Sequence, residues 1–199
     1  MYKNFNNFFY LFLMMLSLSG CAGTLIGGAA SVGLASVQER SIRDAAIDLK
    51  LELQVQEKLF SSNTDKIFAH VDVTIIEQRA LLVGNVESQE LRDLTSKITW
   101  EISPKIKDVL NEITIGKKAT LLSEAKDARI SLSLSALLIG DSKVSDINFS
   151  HSVSKQVLFL IGIAKDNKEL NQVIHHARTV KGVIKVISHI ILKNDKKRN

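Results

Sequence analysis

The chain contains the same series of apolar sequence patterns twice. This internal repetition limits the possible folds more than any other feature. Each half begins with a helical pattern, continues with two strand patterns and a second helical pattern, and ends with an apolar strand. The apolar positions of the closing strand recur at one constant offset: Ile106, Val109, Leu110, Ile113 and Ile115, then Val183, Val186, Ile187, Ile190 and Leu192. Gly84 and Gly162 also match, since each lies inside a hairpin strand just ahead of a helix.

In the first half, the sequence predicts a helix over residues 41–59, with Ser41 as its N-cap and Asp44 in its first turn. The buried stripe of this helix is expected at Ile42, Ala46, Leu49 and Leu53. A strand with alternating apolar residues follows at Val71, Val73 and Ile75, then a turn at Gln78 and Arg79, and a partner strand over residues 81–86. The second helix has its apolar face at Leu91, Leu94, Ile98 and Ile102, and Pro104 ends it.

The second half repeats this order. A helix over residues 127–139 is predicted from Ile130, Leu134 and Leu137, and a strand is expected to begin at residues 146–149. Its hairpin partner covers residues 157–162. Asp166 is the expected cap of the next helix, with Glu169 in the capping-box position. The buried face of that helix is expected at Leu170, Val173, Ile174 and Ala177.

These patterns predict an α+β fold of two tandem αββαβ modules, each a small three-stranded mixed sheet with two helices on one face. A module of about 70 residues alone would be marginally stable. We therefore expect the two modules to dock. The predicted divisions are a signal peptide (1–20), a Gly/Ala/Ser-rich tether (21–40), the first module (41–115), a linker (116–124), the second module (125–192) and a basic tail (193–199).

The N-terminus has the features of a lipoprotein export signal. Lys3 precedes an apolar run that is shorter than the roughly 20 residues of a membrane span, which favours a signal peptide. The run ends in Leu18, Ser19, Gly20 and Cys21, which resembles a bacterial lipobox. The resemblance implies that the mature chain begins at Cys21 with three acyl chains, enough for stable anchoring. Ala22 implies sorting to the outer membrane. An uncleaved signal anchor or an ordinary buried cysteine is the alternative.

The sequence contains no recognisable catalytic, metal or cofactor motif. A Gly-rich phosphate loop, a nucleophile elbow and paired carboxylates are all missing. His175 and His176 are adjacent and would point about 100° apart on a helix, so they cannot share one ion. Gly84, Gly162 and Gly182 are interpreted as structural glycines, and the first two as positions that allow close backbone approach in the sheet. The net charge of +5 is compatible with anionic lipid, but it is also common in solvated surfaces, and the basic tail is interpreted as solvated rather than lipid-bound.

The closing pattern around Gly182, from Val180 to Val186, together with the Leu-Ile-Gly hairpin before it, resembles a BON domain. Two such modules behind a lipobox are similar to the dual BON-domain outer-membrane lipoproteins. That family comprises the division- and outer-membrane-stress-associated lipid-binding lipoproteins, which are relatives of osmotically induced periplasmic BON proteins. The resemblance covers nearly the whole mature chain.

The resemblance implies a non-enzymatic protein, anchored to the outer membrane and facing the periplasm, that binds anionic phospholipid and supports membrane integrity. In the family the first helix of the second module meets the bilayer. Here the candidate phospholipid-binding residues are Leu122, Lys126, Arg129 and Lys143. The family often has a tryptophan near the start of that helix, where this chain has Ala128 and Arg129.

Two other function classes remain as hypotheses. One is an adaptor that holds other envelope proteins, with outer-membrane assembly or division proteins as candidate partners. The other, an envelope hydrolase, has little support in the sequence. Nucleic acid is not expected as a partner of an exported protein.

Overall fold

The computed structural model describes residues 39, 41–62, 71–117 and 119–198. The predicted signal peptide, the lipobox with Cys21, and all of the predicted tether except Glu39 lie outside the described residues, as does His70. The first module consists of α1 (Ile42–Ser61), β1 (Val71–Ile76), β2 (Arg79–Val86), α2 (Gln89–Glu101) and β3 (Asp108–Ile115). The second consists of α3 (Leu121–Gly140), β4 (Phe149–Ser154), β5 (Val157–Ala164), α4 (Asn167–Thr179) and β6 (Lys185–Leu192). The αββαβ order and the α+β class are confirmed.

The two sheets have the same topology and the same register. In each, the middle strand is antiparallel to the first strand and parallel to the third, with orders β1-β2-β3 and β4-β5-β6. Gly84 pairs with Val71 and Ile113, and Gly162 pairs with Phe149 and Ile190. The matched glycines therefore occupy equivalent positions in two modules of the same fold.

The two modules pack sheet against sheet, which confirms that they dock. Within each module, one sheet face packs against that module's two helices. The opposite faces meet in a third apolar cluster whose buried members come from both modules: Ile76, Leu81, Val83, Phe159, Ile161, Ile163 and Ile191. The layers therefore run helices, sheet, sheet, helices. Alternation along each strand lets the middle strands bury side chains on both faces.

A buried aspartate on the first helix of each module holds the hairpin turn beside it. The turn residues Glu77 and Gln78, and their equivalents Lys155 and Gln156, all have positive φ angles between 51° and 64°. Such turns direct two consecutive amides to one side, and Asp48 accepts both from Glu77 and Gln78 at 2.8 and 2.9 Å. Asp127 accepts the amides of Lys155 and Gln156 at 2.9 and 2.8 Å. These charge-assisted hydrogen bonds offset the free-energy cost of burying each carboxylate.

Several predicted details of the first module are wrong. The stripe Ile42, Ala46, Leu49 and Leu53 faces solvent, and α1 buries a different row: Asp48, Leu51, Val55 and Leu59. The turn lies one residue earlier than predicted, because the amides that Asp48 binds are those of Glu77 and Gln78. Ser41 is the N-cap as predicted, and its hydroxyl accepts the Asp44 amide at 3.0 Å.

The second module also differs from prediction in detail. α3 begins at Leu121 rather than at residue 127, because Thr120 caps it, so residues 121–124 of the predicted linker are helical. Residues 146–148 form a short 3-10 helix, and β4 starts only at Phe149. Leu138 is buried in α3, whereas Leu137 is partly exposed.

Asp166 caps α4 as predicted, but Glu169 does not complete a capping box with it. The Glu169 carboxylate accepts the amides of Ser145 and Lys165, each at 2.8 Å.

Gly162 allows a close approach that a side chain would prevent. A Cβ at this position would lie 2.5 Å from the Asn148 carbonyl oxygen and 2.7 Å from Phe149 Cδ1. We expect Gly162→Ala to lower the free energy of unfolding of the compact unit Val37–Asn199 by about 2–3 kcal/mol in urea titration. The control is Gly140→Ala at the end of α3, where a Cβ meets nothing within 4 Å. This control should leave stability unchanged or raise it by up to about 1 kcal/mol. Equal effects of the two changes would contradict this explanation.

Candidate functional site

The helix α3 exposes an apolar face along its whole length. The side of α3 that packs on its sheet contains Asp127, Ile130, Leu134 and Leu138. The opposite side contains Leu121, Leu122, Leu132 and Ile139, which are 85%, 68%, 72% and 71% exposed, together with the exposed Ala125 and Ala136. A surface helix normally has polar residues on its outer side. α3 is therefore apolar on both sides, which marks its outer face as a candidate binding surface.

The candidate cations are distributed unevenly around this face. At about 100° per residue, Arg129 lies within the outward apolar face, between Ala125 and Leu132. Lys126 is also exposed but lies on the flank of the face. Lys143 is exposed in the loop after α3, about 30 Å from Leu122 along the helix axis. The structure thus brings Leu122, Lys126 and Arg129 together, and it places Lys143 at the opposite end of the helix.

The inner edge of α3 borders a polar cleft of about 420 Å³ whose lining includes Asp127, Ser131 and His151. Both oxygens of Asp127 are already bonded to turn amides. His151 Nε2 lies 3.0 Å from Ser131 Oγ, and burial of the ring lowers the pKa of His151. Asp127, Ser131 and His151 are therefore occupied by hydrogen bonds that stabilise the fold. We assign none of these three side chains as a nucleophile or a general base.

Two other histidines in the described ranges, His176 and His189, are held by carboxylates. His176 Nε2 lies 2.7 Å from Asp141 Oδ2, and this bond, with those from the Lys143 amide and Gln172, lowers the pKa of Asp141 to about 2. His189 Nε2 lies 2.8 Å from Glu112 Oε1, which links the closing strands of the two modules. Across the described residues, no three His, Cys, Asp or Glu side chains are grouped so that they could hold a metal ion.

The helix α1 has a second exposed apolar row at the positions equivalent to those of α3. Ile42, Leu49 and Leu53 are 62%, 56% and 55% exposed, and they match Leu121, Ala128 and Leu132. Lys50 matches Arg129. Because the helices of the two modules form the outer layers, the rows on α1 and α3 face opposite sides of the molecule.

The basic tail is bound to the first module, so its interpretation as a solvated segment is wrong for Arg198. The Arg198 guanidinium donates to both carboxylate oxygens of Glu77 at 2.7 and 2.8 Å, and these bonds raise the pKa of Arg198. It also donates to the carbonyl oxygens of Glu39 and Lys193. Lys193 Nζ lies 2.7 Å from Glu39 Oε2.

Glu39 is held from the second module as well, since its amide donates to Asn148 Oδ1 at 2.8 Å. Glu39, three residues before α1, is therefore held both by the second module and by the tail.

Comparison with known proteins agrees with the duplicated αββαβ fold. A family model described as the BON domain matches residues 47–117 and 126–194. The chain belongs to the BON-domain family. BON domains are associated with phospholipid binding and with envelope proteins, and BON-domain proteins are generally non-enzymatic binding proteins.

This BON protein is also similar to one curated protein and, at low identity, to two solved structures. The chain is 37% identical over 158 residues to an uncharacterized protein in the gshII 5′ region of Anaplasma centrale, which covers 79% of this chain and 99% of that protein. Two solved structures of CdsD, a structural protein of the type III secretion system of Chlamydia trachomatis, are 14% and 15% identical, each with a TM-score of 0.29. They cover 71% and 70% of this chain, which spans only 62% and 64% of their length.

Within the described part of this BON protein, no helix has the length and apolar character that crossing a bilayer would require. Sequence reasoning identified α3 but missed the exposed row on α1, because it assigned that row to the core. The signal was available, since Leu51, Val55 and Leu59 form a competing row at helical spacing.

The contact between Arg198 and Glu77 should contribute measurably to the stability of the paired BON modules. Glu77 is only 8% exposed, so Arg198→Gln leaves a buried carboxylate without its cation. We expect a loss of about 2 kcal/mol in the free energy of unfolding, measured by urea titration. Lys196→Gln removes an exposed tail charge and should change stability by less than about 0.5 kcal/mol. If both variants behave alike, the tail does not make this contact in solution.

Proposed function

We propose that this protein is a lipid-anchored envelope protein that binds phospholipid through α3 and supports the integrity of the outer membrane. The observation that carries the proposal is the outward face of α3, where Leu121, Leu122, Leu132 and Ile139 are exposed and Arg129 lies among them. Family membership supports it, since BON domains are associated with phospholipid binding and envelope proteins.

The composition of this face suits the boundary between lipid headgroups and acyl chains. A helix that lies flat on a bilayer buries an apolar side and keeps its cations at headgroup level. Each leucine-sized side chain that leaves water contributes roughly 1.5–3 kcal/mol when fully buried. A cation near an anionic surface adds around 1 kcal/mol. Arg129 has the reach to keep its guanidinium among phosphates while its stem lies along the apolar face.

The lipobox supplies the proposed attachment. Cys21 is the only cysteine of the chain, and it follows Leu18, Ser19 and Gly20 directly. Acylation at Cys21 would hold the BON modules near a bilayer, so that a weakly binding helix face need only orient the protein. Ala22 is the basis for placing it in the outer membrane, facing the periplasm.

The adaptor hypothesis is kept as a second candidate because of one observation, the exposed row on α1. That row is flanked by charges of both signs, Arg43, Lys50 and Glu57, which suit a protein surface better than a lipid surface.

The duplication provides a matched test of membrane docking, because Leu132 of α3 and Leu53 of α1 are equivalent. We expect Leu132→Glu to weaken co-sedimentation of the compact unit Val37–Asn199 with anionic vesicles at least about tenfold, since it removes an apolar insertion and adds an anion. Leu53→Glu makes the same chemical change on the opposite face and should leave binding unchanged. Arg129→Glu should weaken binding to anionic vesicles but not to neutral ones. Wild-type binding in the Leu132→Glu variant would exclude α3 as the docking face, and a loss caused by Leu53→Glu would transfer the role to α1.

The anchor can be tested separately from the docking helix. In a Gram-negative host, mass spectrometry of the mature protein should show an N-terminal residue Cys21 whose mass includes a diacylglyceryl group and an amide-linked acyl chain. Cys21→Ser should abolish this modification and release the protein from the membrane fraction. A native polypeptide that begins at Met1 with a free thiol would refute the anchor while leaving vesicle binding by α3 as a separate question.

A further inference from the structure

The exposed row on α1 has the spacing of a helix-pairing seam. Ile42, Ala46, Leu49 and Leu53 follow one another at alternating steps of four and three residues, and Gln56 and Phe60 continue the series. This is the a/d spacing by which two helices interlock along a common line. The row that α1 buries against its own sheet is a different one, so the seam points away from the molecule.

We propose that α1 pairs with α1 of a second copy of this chain, in antiparallel orientation. Such a pair is two-fold symmetric, so the same patch serves both copies. With the centre at position 51, Leu49 faces Leu53 of the second copy and the reverse. Ala46 then faces Gln56 of the second copy, and the small side chain leaves room for the larger one. This register overlaps the two helices over nearly their full length.

The charges beside the seam select the antiparallel orientation. Arg43 and Glu57 are both exposed, and they lie on the same flank near opposite ends of α1. In the antiparallel register, Arg43 of each copy comes beside Glu57 of the other, which gives two opposite-charge contacts by symmetry. A parallel pair would instead bring Glu57 beside Glu52 of the second copy. Lys50 on this flank and Glu52 on the other flank both lie near the two-fold axis, and each meets its own equivalent, so these are the two repulsive positions of the seam. The Glu52 carboxylate also accepts the Ile75 amide of its own copy at 3.0 Å.

The comparison with α3 supports this choice of partner. At the positions equivalent to Arg43, Lys50 and Glu57, α3 has Leu122, Arg129 and Ala136. These three positions of α3 thus carry two apolar side chains, one cation and no acid, which suits a lipid surface. The flank of α1 has both signs in a self-complementary arrangement, as a second copy requires. Duplicated helices that began alike have therefore diverged toward different occupants.

The pairing is compatible with membrane docking because of the layer order. α1 and α3 lie in opposite outer layers, so a dimer through α1 leaves α3 uncovered in both copies. One helix pair is small beside the roughly 1,200–2,000 Å² of a standard stable interface, so pairing should be weak in dilute solution. Concentration on a membrane would strengthen it. This strengthening rests on the proposed function, whereas the pairing itself does not.

The test uses full chains labelled at the C-terminus with donor or acceptor dyes and reconstituted into lipid vesicles, with energy transfer measured against protein-to-lipid ratio. Arg43→Glu and Glu57→Arg should each raise the dimer dissociation constant roughly tenfold or more, because each turns two attractive contacts into two repulsive ones. The double variant restores both contacts in reversed sense and should return to within about threefold of the wild type. Lys50→Gln should tighten the dimer.

Lys168→Glu is the matched control, since it makes the same kind of charge change as Arg43→Glu on the exposed surface of α4. It should leave energy transfer unchanged. Energy transfer in the wild type no greater than that of randomly distributed monomers would overturn the proposal, as would a double variant no better than the single variants. A Leu53→Glu chain that loses vesicle binding instead of energy transfer would assign α1 to the bilayer. Circular dichroism of each variant confirms that α1 is still helical, so a loss of pairing is separated from a loss of folding.

Discussion

The packing of one sheet against the other is the contact on which the rest of this structure depends. Leu81 and Val83 from the first module and Phe159 and Ile161 from the second leave water together, although each module already buries its opposite sheet face under two helices. Without this contact, two small modules would each expose an apolar sheet face. With it, both helix pairs are forced into the outer layers, and the outward rows of α1 and α3 are the consequence.

Polar contacts fix how the two modules meet. Apolar contacts between two sheet faces are not directional, so they alone would allow several relative orientations of the modules. The bond between His189 and Glu112, the Arg79 guanidinium bonded to the His189 carbonyl oxygen, and the pair of Arg198 and Glu77 are directional, and each joins the two modules. Desolvation lowers the pKa of Arg79, so its partners must compensate for its burial. These contacts select one arrangement from those that the apolar interface alone would allow.

The sequence was sufficient for the module order, the matched glycines and most of α3, because these depend on local periodicity. It missed the first turns of α3, which Thr120 caps. The sequence was misleading about which face of α1 is buried. Two rows of residues in α1 have helical spacing, and the row that is buried contains a carboxylate, Asp48. Asp48 is buried because the positive-φ turn at Glu77 and Gln78 presents two amides that need an acceptor, and a hydropathy pattern does not contain that requirement. The binding of Arg198 to Glu77 was equally inaccessible, since it joins residues far apart in the chain through a tertiary contact.

The buried aspartates also explain why the outward rows could diverge. Asp48 and Asp127 tie the first helix of each module to its own hairpin, so helix rotation is fixed from inside the module and does not depend on the outer face. Residues on that face are therefore constrained by whatever covers it. Where Glu57 stands in α1, α3 has Ala136, and where Arg43 stands, α3 has Leu122. Changes of this kind leave the core intact and alter only the surface, so one fold can present a charged seam on one side and an apolar helix on the other.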